Sequence, residues 1–213
     1  MSKSNFNGDK SITKNIKLEK KKLLDLFMDS TSRCPVIASV KNDEWLELSK
    51  KSNCEIVYII YGNICNIKDI VEEVKKSGRM AIVHIDLISG LSSKDISVDF
   101  IKKFTNADGI ISTKPHLIKH ANKLGLFTVQ RFFMIDTITF ANIKKHVNES
   151  KPDVVEMMPA GLGKMISYAI EQVDGRPLVA SGLILDKKEV YNAISAGAIA
   201  ISTTNLDIWK IID

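Results

Sequence analysis

Eight short apolar segments alternate with helical ones along this chain. Glycines stand where helices hand over to the next apolar segment, and small polar residues close the last two segments. Strands alternating with helices of this length form βαβ units in a parallel sheet. Eight units within roughly 170 residues favour closure over an open sheet. The predicted fold is therefore α/β: a (β/α)8 TIM-type barrel, a closed parallel sheet with outer helices, in one domain over 17–213.

Residues 1–16 are rich in Ser, Asn and Lys and read as a disordered basic N-terminal arm. A helix over about 17–29 carries Leu23, Leu24, Phe27 and Met28 as its apolar stripe. Strands are predicted at Val36–Val40, Ile56–Tyr61, Met80–Ile85, Gly109–Ser112, Phe127–Phe133, Val154–Met158, Leu178–Ala180 and Ala198–Ile201. Helices fall between them, at Asp43–Lys50, Ile67–Lys76, Lys94–Phe104, Pro115–Leu124, Thr137–Val147, a stretch ending near Val173, and Lys187–Ser195. A short helix over Leu206–Trp209 closes the series. Gly78, Gly125, Gly175 and Gly197 fit helix C-caps that return the chain to the sheet.

Composition excludes several classes. No run approaches the ~18 apolar residues of a membrane span. The lysine-rich start lacks the apolar core of a secretory signal. Cys34, Cys54 and Cys65 have neither even number nor C-x-x-C spacing, which suggests a reducing cytoplasm and small buried hydrophobes. The charge is uneven. Residues 1–24 hold seven lysines against Asp9 and Glu19, so they account for the whole net charge of +5. Such an arm either holds nucleic-acid phosphates or is a solvated tail.

Functional groups in this fold collect at the C-terminal ends of the strands. Ser181-Gly182 and Ser202-Thr203 end the seventh and eighth strands, the usual phosphate-binding corner. Gly161 and Gly163, in the sixth loop, are candidates for additional N–H donors in that cradle. His84 and Asp86 either pair as acid and base, hold a hydroxylated ligand, or are a core histidine and a capping aspartate. Lys114 either meets a ligand or is a solvated lysine at a helix start. Arg131 lies in an otherwise apolar strand and needs a partner, because an unpaired buried charge is costly. Glu156, at the end of the neighbouring strand, is the candidate partner, and the pair either is structural or holds ligand hydroxyls. No nucleophile elbow or metal-ligand spacing appears, so no catalytic residue, metal or cofactor is expected.

Taken together, several motifs resemble the glycerol-3-phosphate-responsive antiterminators, also called glycerol uptake operon antiterminator regulatory proteins. They are Val83-His-Ile-Asp-Leu-Ile88, Ala107-Asp-Gly-Ile-Ile-Ser-Thr-Lys114, Gln130-Arg-Phe-Phe133, Lys151-Pro-Asp153, Gly182-Leu-Ile184 and the run from Ala196 to Trp209. The resemblance covers residues from about 22 to 209. It departs from the family pattern at Met158–Lys164 and at Ser181-Gly182, where the family has paired glycines. It implies a cytoplasmic, non-enzymatic regulator that binds glycerol 3-phosphate and leader mRNA to prevent transcription termination at glycerol genes, and it leaves a homo-oligomer open. The alternative reading is an enzyme acting on a small phosphorylated polyol or sugar at the same barrel site.

Overall fold

The computed structural model describes residues 5–160 and 163–210. A long helix, α1 (Asn5–Arg33), leads into eight parallel strands. The strands are β1 (Val36–Val40), β2 (Ile56–Ile59), β3 (Met80–His84), β4 (Gly109–Ser112), β5 (Phe127–Phe133), β6 (Val154–Met158), β7 (Leu178–Ser181) and β8 (Ala200–Thr203). Between them run α2 (Asp43–Ser49), α3 (Ile67–Lys76), α4 (Asp95–Phe104), α5 (Pro115–Lys123), α6 (Thr137–Ser150), α7 (Gly163–Gln172) and α8 (Lys187–Ser195). The short α9 (Leu206–Trp209) follows β8. Each strand pairs in parallel with the next, and β8 pairs with β1, so the sheet is a closed (β/α)8 barrel.

Local chemistry explains the boundaries. Asn42, Asp136 and Asp186 cap α2, α6 and α8, each accepting from the backbone N–H three residues on. Pro115 opens α5, where its missing N–H has no cost. The four glycines that precede strands all have positive φ, as left-handed helix C-caps require. Alternate strand residues divide between two cores. One packs outward against the helices, and the other fills the barrel with Ile37, Ile56, Met80, Ile82, Phe127 and Val129 among others. Cys34 and Cys54 are buried, but Cys65 is exposed, so the expectation of three buried thiols fails at the third.

The N-terminal end of the barrel is sealed by α1. Phe27 is fully buried in the inner core and stacks on Phe127 with ring centroids 4.9 Å apart. Lys20 donates to Asp153 at 2.7 Å and also to Asn122. Ile16 lies over Gly125, where an added Cβ would come within 3.3 Å of it. The helix runs from Asn5, and its turn at Ile16–Lys20 is anchored on the barrel. Residues 1–4 lie outside the described residues.

Candidate functional site

Tilted strands bring inward-facing residues of alternate strands together in layers of four. The ladder registers place Ile37, Ile82, Val129 and Val179 in one such layer. The layer above it holds Tyr58, Ile111, Glu156 and Ser202, and the next holds Ser39, His84, Arg131 and Ser181. The interior therefore turns from apolar to polar toward the C-terminal mouth. Arg131 enters the polar part from β5 and meets Glu156, its register partner on β6. Arg131 Nε donates to Glu156 Oε2 at 2.6 Å, and Ser202 Oγ donates to Glu156 Oε1 at 2.7 Å. Glu156 is fully buried, and its two hydrogen bonds meet the cost of placing a carboxylate there. Among the described residues nothing accepts from the two terminal nitrogens of Arg131.

Arg131 lines a cavity of about 290 Å³ at the barrel mouth, together with Ser39 and Met158 from the strands and Ile60 just past β2. Two loops complete the wall, Ser181–Leu185 after β7 and Ser202–Asn205 after β8. Gly182 has φ +72°, a conformation natural to glycine, and its neighbour Leu183 is also left-handed at φ 56°. Asn205 ties the two loops, its Nδ2 donating to Leu185 O at 3.1 Å. A planar guanidinium with free N–H groups beside loop backbone suits a phosphate or carboxylate.

Residues 36–209 match the family model described as "Glycerol-3-phosphate responsive antiterminator". The chain belongs to this family. It is 42% identical over 177 residues to the uncharacterized protein YgcP of Escherichia coli (strain K12), covering 83% of this chain and 92% of that protein. The structure of a glycerol uptake operon antiterminator regulatory protein from Listeria monocytogenes superposes with a TM-score of 0.78 at 26% identity, covering 81% of this chain and 92% of that one. A glycerol uptake operon antiterminator-related protein from Thermotoga maritima gives a TM-score of 0.73 at 26% identity, covering 82% and 96%. The matched span runs from β1 to the end of α9, so it contains the whole cavity of this antiterminator and leaves α1 outside.

Within the antiterminator fold the residues expected at the site separate into three groups. Arg131, Ser181, Gly182, Ser202 and Thr203 line the cavity, with Glu156 directly behind Arg131. The hydroxyls of Ser181 and Ser202 already bond Met157 O and Glu156, so what these positions offer a ligand is chiefly backbone. His84 shares the Arg131 layer but does not line the cavity. Burial, and then the Arg131 charge, lower its pKa to about 4, so its imidazole is neutral at pH 7. Among the described residues its Nδ1 has no partner, and neither has the buried Tyr58 hydroxyl one layer below. Burial and the nearby Glu156 charge raise the Tyr58 pKa far above the phenol range.

Asp86 and Lys114 form the second group, which ties loops together. Asp86 sits in a 3-10 turn, Ile85–Leu87, and accepts from Ser112 Oγ at 2.9 Å, Thr113 N at 2.7 Å and Thr113 Oγ1 at 3.0 Å. Burial opposes its ionisation, but those bonds and His84 outweigh it and keep its pKa below the usual value. Lys114 reaches Ser93 Oγ at 2.5 Å and Asp86 at 3.5 Å, joining the loops after β3 and β4. His84 and Asp86 make no hydrogen bond to each other. Gly163 stands apart: it opens α7 and faces α8, where an added Cβ would meet Ala196 at 3.7 Å. It does not line the cavity at the mouth. Gly161 lies outside the described residues. Ser39, Met158, Thr204 and Asn205 also line the cavity, although the sequence pattern does not mark them as site residues. For Ser39 a signal existed: it is the polar residue of an apolar strand, at the parity that faces inward.

Among the described residues no group of three His, Cys, Asp or Glu could hold a metal ion, and no helix is long and apolar enough to cross a membrane.

Proposed function

We propose that this antiterminator binds glycerol 3-phosphate in the barrel mouth and, so loaded, acts on leader mRNA in the cytoplasm to prevent transcription termination at genes of glycerol uptake and metabolism. The phosphate sits against the loops after β7 and β8, and Arg131 supplies the charge. The glycerol hydroxyls face Ser39 and the Arg131–Glu156 pair. One observation carries this reading: a buried arginine that lines the cavity is braced by a buried glutamate, and its two terminal nitrogens have no acceptor among the described residues. Family membership supports the regulatory role and the ligand.

The test is calorimetric titration of the full chain with glycerol 3-phosphate and with glycerol, followed by leader RNA binding in the presence of each. Binding of glycerol 3-phosphate alone, with a matching change in RNA affinity, is the expected result. Equal binding of both compounds would remove the phosphate seat. Conversion of glycerol 3-phosphate to a product would replace the regulator with an enzyme.

A further inference from the structure

The regulatory reading needs an RNA surface, and charge is distributed unevenly around the barrel. Helix α5 contains no acidic residue, and its exposed Lys119 and Lys123 lie four apart on one stripe. Neighbouring α6 exposes Lys144 and Lys145 and has Glu149 as its only acid. Lys17 and Lys21 form a third exposed stripe, on α1. The three stripes belong to one corner of the molecule. Lys20 bonds Asn122 near the end of α5 and Asp153 just after α6, and Ile16 covers Gly125. Residues 16–20 of α1 are thereby fixed against the ends of α5 and α6, and Lys17 and Lys21 stay on the solvent side.

Among the described residues none of these six lysines makes an ion pair. The flank of α2 and α3 is different. Each of those helices carries three acids, and carboxylates neutralise Lys50, Lys75 and Lys76, leaving Lys68 as the one α3 lysine without an ion pair among the described residues. A helix C-terminus favours one or two cations through its dipole, but that does not explain why α5 lacks acids along its whole length.

We infer that the RNA lies across the outer faces of α5 and α6 and the adjoining turns of α1, its phosphates held by these lysines. The inference rests on the regulatory reading above. Phosphate contacts of this kind supply affinity and position rather than sequence discrimination. On α5 no large apolar side chain is exposed, whereas Leu18 of α1 and Ile138 of α6 are, so binding to an anionic membrane is the alternative that the test below must exclude. The surface is joined to the ligand cavity by chain continuity. Strand β5 carries Arg131 and runs into α6, and Ser150 at the end of α6 donates to Gln130, the residue before Arg131.

The experiment uses the full-length protein with saturating glycerol 3-phosphate. Its probes are a 5′-leader transcript of a glycerol uptake operon and a scrambled RNA of equal length. Binding is measured across a KCl series for three proteins: wild type, a Lys119/Lys123/Lys144/Lys145→Gln variant, and a control carrying Lys68→Gln, Lys187→Gln and Lys188→Gln. Each phosphate of single-stranded RNA that a lysine ceases to neutralise flattens the slope of log K against log salt by about 0.7, so the four-lysine variant should lose about 2–3 from its slope. The control should keep the wild-type slope, and all three proteins should bind glycerol 3-phosphate equally. Lys17→Gln with Lys21→Gln should flatten the slope further. A four-lysine variant with the wild-type slope would overturn the assignment of this surface, as would tighter binding to anionic phosphatidylserine vesicles than to RNA. Wild-type protein that ignores the leader at every salt concentration would instead overturn the regulatory reading itself.

Discussion

Arg131 and Glu156 are register partners on adjacent strands, and their side chains meet at 2.6 Å inside the barrel, with the carboxylate fully buried. The pair has two consequences. It neutralises each charge in a medium that would not tolerate either alone, and it fixes by its Nε a guanidinium that lines the cavity. Arg131→Leu should therefore lower stability by about 3–5 kcal/mol, the usual cost of leaving a buried charge unpaired. It should also abolish glycerol 3-phosphate binding. Arg131→Lys keeps the charge but loses the planar fork, so it should retain more stability than affinity. Denaturant unfolding and calorimetry on both variants separate the two effects. An Arg131→Lys protein with wild-type affinity would rule out recognition by the fork.

His84 makes folding pH-dependent with a predictable sign. Its pKa is near 4 in the folded protein and about 6.5 when unfolded. Between those values the unfolded chain binds a proton that the folded one refuses, so stability falls as pH drops from about 6.5 to 4. The slope attributable to this residue is up to about 1.4 kcal/mol per pH unit. Unfolding of wild type and His84→Phe at pH 4.5, 5.5 and 7 should show the gap in stability narrowing toward low pH. A constant gap would mean that His84 is charged in the fold.

The Tyr58 hydroxyl is buried without a partner among the described residues, one layer below the Arg131 layer. Removing an unsatisfied buried hydroxyl relieves its desolvation cost. Tyr58→Phe should raise stability by up to about 1 kcal/mol and leave glycerol 3-phosphate affinity within about threefold. Loss of stability instead would reveal a buried water bonded to that oxygen.

Gly182 has φ +72°, and an added Cβ would come within 2.7 Å of Met158 Cε, itself part of the cavity wall. Gly182→Ala should cost about 1–2 kcal/mol in backbone strain and weaken glycerol 3-phosphate more than tenfold as Met158 shifts. Unchanged affinity, measured calorimetrically, would locate the phosphate elsewhere.

Strands are legible in the sequence where a contiguous apolar run meets a turn residue. Val36–Val40, Gly109–Ser112, Phe127–Phe133 and Val154–Met158 coincide with the observed strands residue for residue. The start of the first helix is not legible, because its early turns lack an apolar stripe and depend on distant contacts such as Lys20 with Asp153. At the site, the Arg131–Glu156 contact is legible because adjacent strand ends must be neighbours. The bond from Ser202 to Glu156 is not, since it depends on the shear of the closed sheet. Gly163 falls outside the cradle because a loop's path cannot be derived from glycine spacing.

The stopper formed by α1 has a kinetic meaning. Phe27→Ala should lower stability by about 3–5 kcal/mol through the cavity it leaves, with ligand affinity preserved, as urea unfolding and titration would show. With that end filled by Phe27 and Phe127, the barrel is a vessel with one opening. If glycerol 3-phosphate binds there as proposed, it would have to leave by the door it entered, past Gly182, Leu183 and Asn205. How long such a regulator would remember its signal would then be set at that threshold, whatever the strength of the grip further in.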